Sequence, residues 1–147
     1  MHRILERLEN IVRAPGSAPE LRLSFVRELQ RARPKYTGVY LYVLRGDTLE
    51  LGEFVGRPTE HTRIPVGSGV CGASARTGRR IVVDDVSADE RYIACSLETR
   101  SEIVVPVRRG HRYLAQIDVD SDALAAFGPQ DVWLLERAAA LLERLYP

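Results

Sequence analysis

Gly38-Val39-Tyr40-Leu41-Tyr42-Val43-Leu44, then Arg45-Gly46-Asp47, then Thr48-Leu49-Glu50-Leu51-Gly52-Glu53-Phe54 is the stretch that decides the fold. Both arms carry a period of two, and the glycine-containing turn between them signals a β-hairpin. Further strands are expected over Arg80 to Val83, Glu102 to Val107 and Tyr113 to Val119. Arg108-Arg109-Gly110-His111 would join the last two as a second hairpin. Outside this strand-rich centre the period becomes helical. Ile4, Leu8, Ile11 and Val12 share one face of a first helix that stops at Ala14-Pro15-Gly16-Ser17. Leu21, Phe25, Val26 and Leu29 share a face of a second, which ends before Pro34. A third runs from Pro129 to Leu145, with Val132, Leu135, Ala138, Ala139, Leu142 and Leu145 as its stripe and Trp133 read as core. The expected class is α+β: a central antiparallel sheet with the N- and C-terminal helices on one face. The other face is then left for the long loop from Gly56 to Arg100, and loops that long are usually functional.

Composition narrows the function classes. The 147 residues fit a single domain, with residues 1–147 forming one unit and a core large enough to need no staples. Twenty-one basic and 20 acidic residues are interspersed, which argues against the clustered basic face that nucleic acid requires. No apolar run has the length of a membrane span, and Met1 to Leu8 mixes charge into a helical pattern unlike a signal peptide. A cytoplasmic location is the expectation. The two cysteines, Cys71 and Cys95, are unlikely partners in a permanent bridge in that compartment. They also lack the CxxC spacing or histidine neighbours of a zinc site, so no metal is expected. They are either inert small hydrophobes or a redox pair.

The chemistry-bearing residues fall into two groups. Gly67-Ser68-Gly69-Val70-Cys71-Gly72 reads as a glycine turn entering a short helix. Such a turn offers backbone N–H groups to an anion and lowers the pKa of a thiol at the helix start; the alternative is tight packing alone. Glu102, Asp118 and Asp120 form the second group. Asp118 and Asp120 alternate with Ile117 and Val119, so both carboxyls face one side of the sheet. Under the loop, three carboxyls would converge near the thiols, and at least one would keep a proton near neutral pH. The alternative is a pair of strand-end residues bonded to some of the many arginines. His61 reads as a structural hydrogen-bonder rather than a catalyst, and Tyr36 as an aromatic wall rather than an acid, since its pKa lies far from neutral.

Several motifs together resemble a known family: Tyr36-Thr37-Gly38-Val39-Tyr40-Leu41, Thr62 to Gly72, Ile93-Ala94-Cys95, Ser101-Glu102-Ile103-Val104-Val105-Pro106 and Ile117-Asp118-Val119-Asp120-Ser121. The chain resembles a GAF domain, specifically the free methionine-(R)-sulfoxide reductases. That resemblance implies a ligand pocket under the loops and reduction of the free amino acid's sulfoxide by thiols. It implies Cys95 and Cys71 as nucleophile and resolving thiol, with Glu102 and Asp120 as catalytic carboxyls. It implies substrate binding by Asp118, Tyr36, Glu102, Gly69, Val70 and His61, no cofactor, thioredoxin as reductant, and a possible homodimer. This chain departs from many members in two places. His61 stands where they carry a third cysteine, and Tyr36 where they carry a tryptophan. A non-catalytic GAF module that binds an amino-acid-like ligand or senses redox state is the alternative expectation.

Overall fold

The computed structural model describes residues 2–92 and 97–147. The elements run α1 (His2–Arg13), α2 (Ala18–Ala32), β1 (Gly38–Arg45), β2 (Thr48–Val55), β3 (Arg63–Pro65), α3 (Gly69–Thr77), β4 (Ile81–Val83), β5 (Ser101–Arg109), β6 (Arg112–Ser121) and α4 (Pro129–Leu142). Short 3-10 turns lie at Val86–Ala88 and Glu143–Leu145. Ser17 starts α2 by accepting the Glu20 N–H at 3.3 Å, and the Asp131 carboxylate accepts the Gly128 N–H at 3.0 Å at the start of α4. No helix among the described residues is long and apolar enough to cross a membrane.

The strands form one antiparallel sheet in the order β3-β2-β1-β6-β5-β4. Both expected hairpins close, β1 to β2 at Arg45 and Thr48, and β5 to β6 at Arg109 and Arg112. The pleat then sorts side chains by parity. Leu41, Ile103, Ile117 and Val119 face a core that buries Leu8, Phe25, Leu134 and Leu142 from the three long helices. Each of those buried side chains contributes about 1.5–3 kcal/mol by leaving water. The opposite parity puts Tyr40, Tyr42 and Val104 into a second, smaller core with Leu49, Ile64, Val70 and Cys71.

Three departures from the sequence expectations matter. Arg63–Pro65 was expected inside a loop and is an edge strand on β2, pairing Leu49 with Ile64. Three residues are too few to show a period, and a proline is tolerated where no further strand needs its N–H. The long final helix ends at Leu142 and finishes as a 3-10 turn. Trp133 is half-buried at the rim, with the Arg137 guanidinium 4.1 Å over its ring and the His2 ring edge-on.

Candidate active site

The site grows from sheet register. Asp120 lies between Glu102 of β5 and Gly38 of β1, and Asp118 between Val104 and Tyr40. Glu102, Asp118 and Asp120 therefore share one face of adjacent strands, at 4%, 3% and 4% exposure. The stretch from Arg63 then lays a thiol over them. β3 stays beside β2 through the Val66 N–H, which bonds the Asp47 carbonyl at 2.8 Å. The chain reverses at Gly67, whose N–H bonds the Gly72 carbonyl at 2.8 Å, and enters α3. Gly69 takes φ +65°, and a Cβ on Gly72 would stand 2.6 Å from the Pro65 carbonyl oxygen, so this approach needs glycine. Cys71 lands buried, on the third residue of α3.

The thiol is braced from beneath. Gln116 Nε2 donates to the Cys71 carbonyl at 3.2 Å and to the Tyr113 hydroxyl at 2.8 Å. The Tyr113 hydroxyl in turn meets Ser74 Oγ at 3.0 Å. Around the thiol, Tyr42, His61, Ile64, Ser68, Gly69, Val70, Glu102 and Asp118 close a small cavity. Cys71, Glu102 and Asp118 offer a sulfur and two carboxylate oxygens within 4.8 Å of one another.

Electrostatics follows from burying three acids together. Burial, then the Asp118 charge beside it, pushes the Glu102 carboxyl well above the usual carboxylate range. Burial and the Glu102 charge do the same to Asp120, with Arg57 offsetting part of it. Burial pushes Asp118 up to about 7, held there by hydrogen bonds from Glu102 and Cys71 against the Asp120 charge. Asp118 is thus the acceptor between two protonated neighbours. One oxygen each on Asp118 and Asp120, both Oδ1, is buried with no hydrogen-bond partner. The expected lowering of the Cys71 thiol does not occur. Burial, reinforced by the Asp118 and Glu102 charges, raises it well above its ordinary value and outweighs a nine-residue helix's dipole.

The cavity thus gathers Cys71, Glu102, Asp118, Gly69, Val70 and His61, with Asp120 joining through its cross-strand partner Glu102. His61 is half-buried there, and its carbonyl accepts the Tyr42 hydroxyl at 2.8 Å. Tyr36 is not a wall of this cavity. It is fully buried in the helix-side core, where its hydroxyl donates to Asp131 Oδ1 at 2.6 Å and its ring meets Phe127. The aromatic wall is Tyr42, which the parity of β1 would have revealed once β1 was paired with β6. Cys95, with Ile93 and Ala94, lies outside the described residues.

The fold has known counterparts. A model of the GAF domain matches residues 3–145. The chain belongs to the GAF domain family. Among GAF proteins of known structure, a free methionine-R-sulfoxide reductase from Neisseria meningitidis in complex with its substrate superposes with a TM-score of 0.91 and 35% identity. That match covers 97% of this chain and 85% of the other. A type II free methionine-R-sulfoxide reductase from Thermoplasma acidophilum gives a TM-score of 0.85 at 37% identity, covering 87% of this chain and 91% of that one. The free methionine-R-sulfoxide reductase of Escherichia coli is 36% identical over 104 residues, 71% of this chain. That stretch spans 62% of the Escherichia coli protein, less than two thirds of its length. The GAF fold and the relatives' names are those the motifs led one to expect.

Proposed function

We propose that this GAF domain reduces free L-methionine (R)-sulfoxide to methionine, using Cys95 and Cys71 as a redox pair recycled by thioredoxin. The observation that carries the reading is the pair of buried, unpartnered carboxyl oxygens on Asp118, which lines the Cys71 cavity, and on Asp120, two residues further along the same face of β6. Orphaned buried acceptors cost free energy unless a ligand supplies donors, and a substrate ammonium group offers three. A free amino acid, rather than a residue within a peptide chain, carries that ammonium. The two solved reductases similar to this chain support the same choice.

Each side chain then has work suited to its state. The first thiolate attacks the sulfoxide sulfur while a protonated carboxyl, Glu102 or Asp120, gives its proton to the departing oxygen. The sulfur–sulfur adduct then collapses: the protonated oxygen passes from the substrate sulfur to the cysteine sulfur, the new S–S bond breaks, methionine leaves and the cysteine is left as a sulfenic acid. The second thiol condenses with that sulfenic acid, expelling water and leaving a disulfide. Two electrons from thioredoxin restore both thiols. Burial among carboxyls keeps Cys71 protonated at rest, which suits the thiol that acts second, and Asp118 is placed to take its proton. Cys95 is then the attacker. Tyr42, Ile64 and Val70 supply apolar wall for the methyl and methylene groups.

The test supplies racemic free methionine sulfoxide with thioredoxin, thioredoxin reductase and NADPH. NADPH consumption should stop when half of the racemate is spent, and should vanish in Cys95→Ser and in Cys71→Ser. No R-selective consumption, or full activity in either variant, sinks the reading. A second reading, a non-catalytic module that binds an amino-acid-like ligand, draws on the burial of Cys71 among carboxyls, which pushes its thiol up. Ligand binding without any turnover in that assay is its signature. Homodimer formation is part of the proposal only as an expectation, and sedimentation of the wild-type protein tests it.

A further inference from the structure

The carboxyls that surround Cys71 change what its thiol can hold. Taken as a thiol pair, the cysteines lack the spacing of a zinc site. The fold supplies the missing ligands from β5 and β6, placing the Cys71 sulfur and one oxygen each of Glu102 and Asp118 within 4.8 Å of one another. We propose that Cys71, Glu102 and Asp118 bind a divalent cation of the zinc class, with one water completing the coordination, in place of the amino-acid ligand.

Four observations carry this. The ligand set is one thiolate and two carboxylates, a combination that a borderline-soft ion takes up and that magnesium or calcium would not select. Three protein ligands leave one tetrahedral position open, as in zinc sites that keep an exchangeable water. The Asp118 Oδ1 atom is buried in this wall without a hydrogen-bond partner, so an acceptor already stands unused. The free space between the lining residues is about 20 Å³, room for roughly one water, which suits an ion with one bound water. A free amino acid is larger and needs the walls to part. Ion and amino acid are therefore alternative occupants, the ion favouring the closed arrangement. Binding requires the thiolate and carboxylate forms of these groups, so the protons they hold are released to solvent. This inference does not depend on the reductase reading, since the ligands are placed by the sheet and α3 alone.

The test titrates Cd²⁺ into the reduced protein, freed of other thiols, and follows the ultraviolet charge-transfer band of a cadmium thiolate. One equivalent should raise the band. Cys71→Ser should remove it, Cys95→Ser should leave it, and Asp118→Asn should weaken binding at least about tenfold. A band that survives Cys71→Ser, disappears in Cys95→Ser, or ignores Asp118→Asn overturns the site, as does no band at all. Crystals of the wild-type protein soaked in Cd²⁺ keep the question answerable if a variant fails to fold. The anomalous peak must fall among Cys71, Glu102 and Asp118, and a peak only elsewhere rejects the proposal. Failure of turnover with intact Cd²⁺ binding would count against the reductase reading alone.

Discussion

The two faces of the sheet treat their buried polar groups in opposite ways. On the helix side, Asp131 is buried but fully engaged. It accepts the Tyr36 hydroxyl at 2.6 Å, the Lys35 ammonium at 2.9 Å and the Gly128 N–H at 3.0 Å. Burial pushes its pKa up, yet those donors outweigh it and the carboxyl ends below its ordinary value. On the pocket side, no cation among the described residues forms an ion pair with Glu102, Asp118 or Asp120, the Arg57 charge only partly offsets the rise at Asp120, and all three are pushed up. The contrast separates stability from function. A buried acid that serves the fold is given its partners within the fold, whereas one that serves a ligand is left with acceptors to spare.

The comparison can be broken by substitution. The largest effect is expected from Glu102→Gln, which keeps size but removes the proton donor. The coupled assay should lose about 10²–10⁴ in kcat/KM while chemical denaturation shows no loss of stability. Leu134→Ala empties the fully buried centre of the helix-side core, so unfolding by urea should be easier by about 2–5 kcal/mol. Asp131→Asn should cost about 1–3 kcal/mol in the same measurement and leave KM unchanged, the mirror image of the Glu102 result. A stable Asp131 variant with a changed KM would dissolve the distinction between the faces.

Titration sharpens it further. A carboxyl raised in the folded state stabilises fully below its unfolded value, near 4, and loses that contribution as pH rises through its folded value. For Asp118 that window runs from about 4 to about 7, and Glu102 and Asp120, also raised, contribute with the same sign. Asp131 has the opposite sign. Its contribution is present above about 4 and is lost as pH falls through its lowered value. Stability against pH should therefore decline on both sides of an acidic optimum, and Asp118→Asn should flatten the rising-pH side by up to about 1.4 kcal/mol per pH unit. The smallest effect belongs to Tyr36→Phe, about 1 kcal/mol of stability with kcat/KM untouched. A raised KM there would return Tyr36 to the pocket.

Much of this was legible because strands write their faces into alternation. Gly38 to Phe54 and the Asp118, Asp120 pair carry a period of two, and both hairpins and the carboxyl face followed from it. Tyr36 did not, because the turn whose Tyr36 N–H bonds the Arg33 carbonyl at 2.8 Å precedes β1 and breaks the parity. Arg63–Pro65 was too short to show a pattern, although its pairing with β2 positions α3. The state of the Cys71 thiol was misread for a different reason. A glycine turn and a helix start are visible locally, whereas the carboxyls that overrule them, Glu102 and Asp118, arrive from strands 31 and 47 residues further on.

Gln116 and Asp118 occupy the same face of β6, two residues and about 7 Å apart along the strand. The first grips the backbone of Cys71 and the second faces its sulfur. One strand repeat therefore acts as a ruler between the support of the Cys71 backbone and the carboxyl beside its sulfur. That length is set by the sheet and not by the loops above it, so any ligand that enters meets the two groups at a fixed spacing.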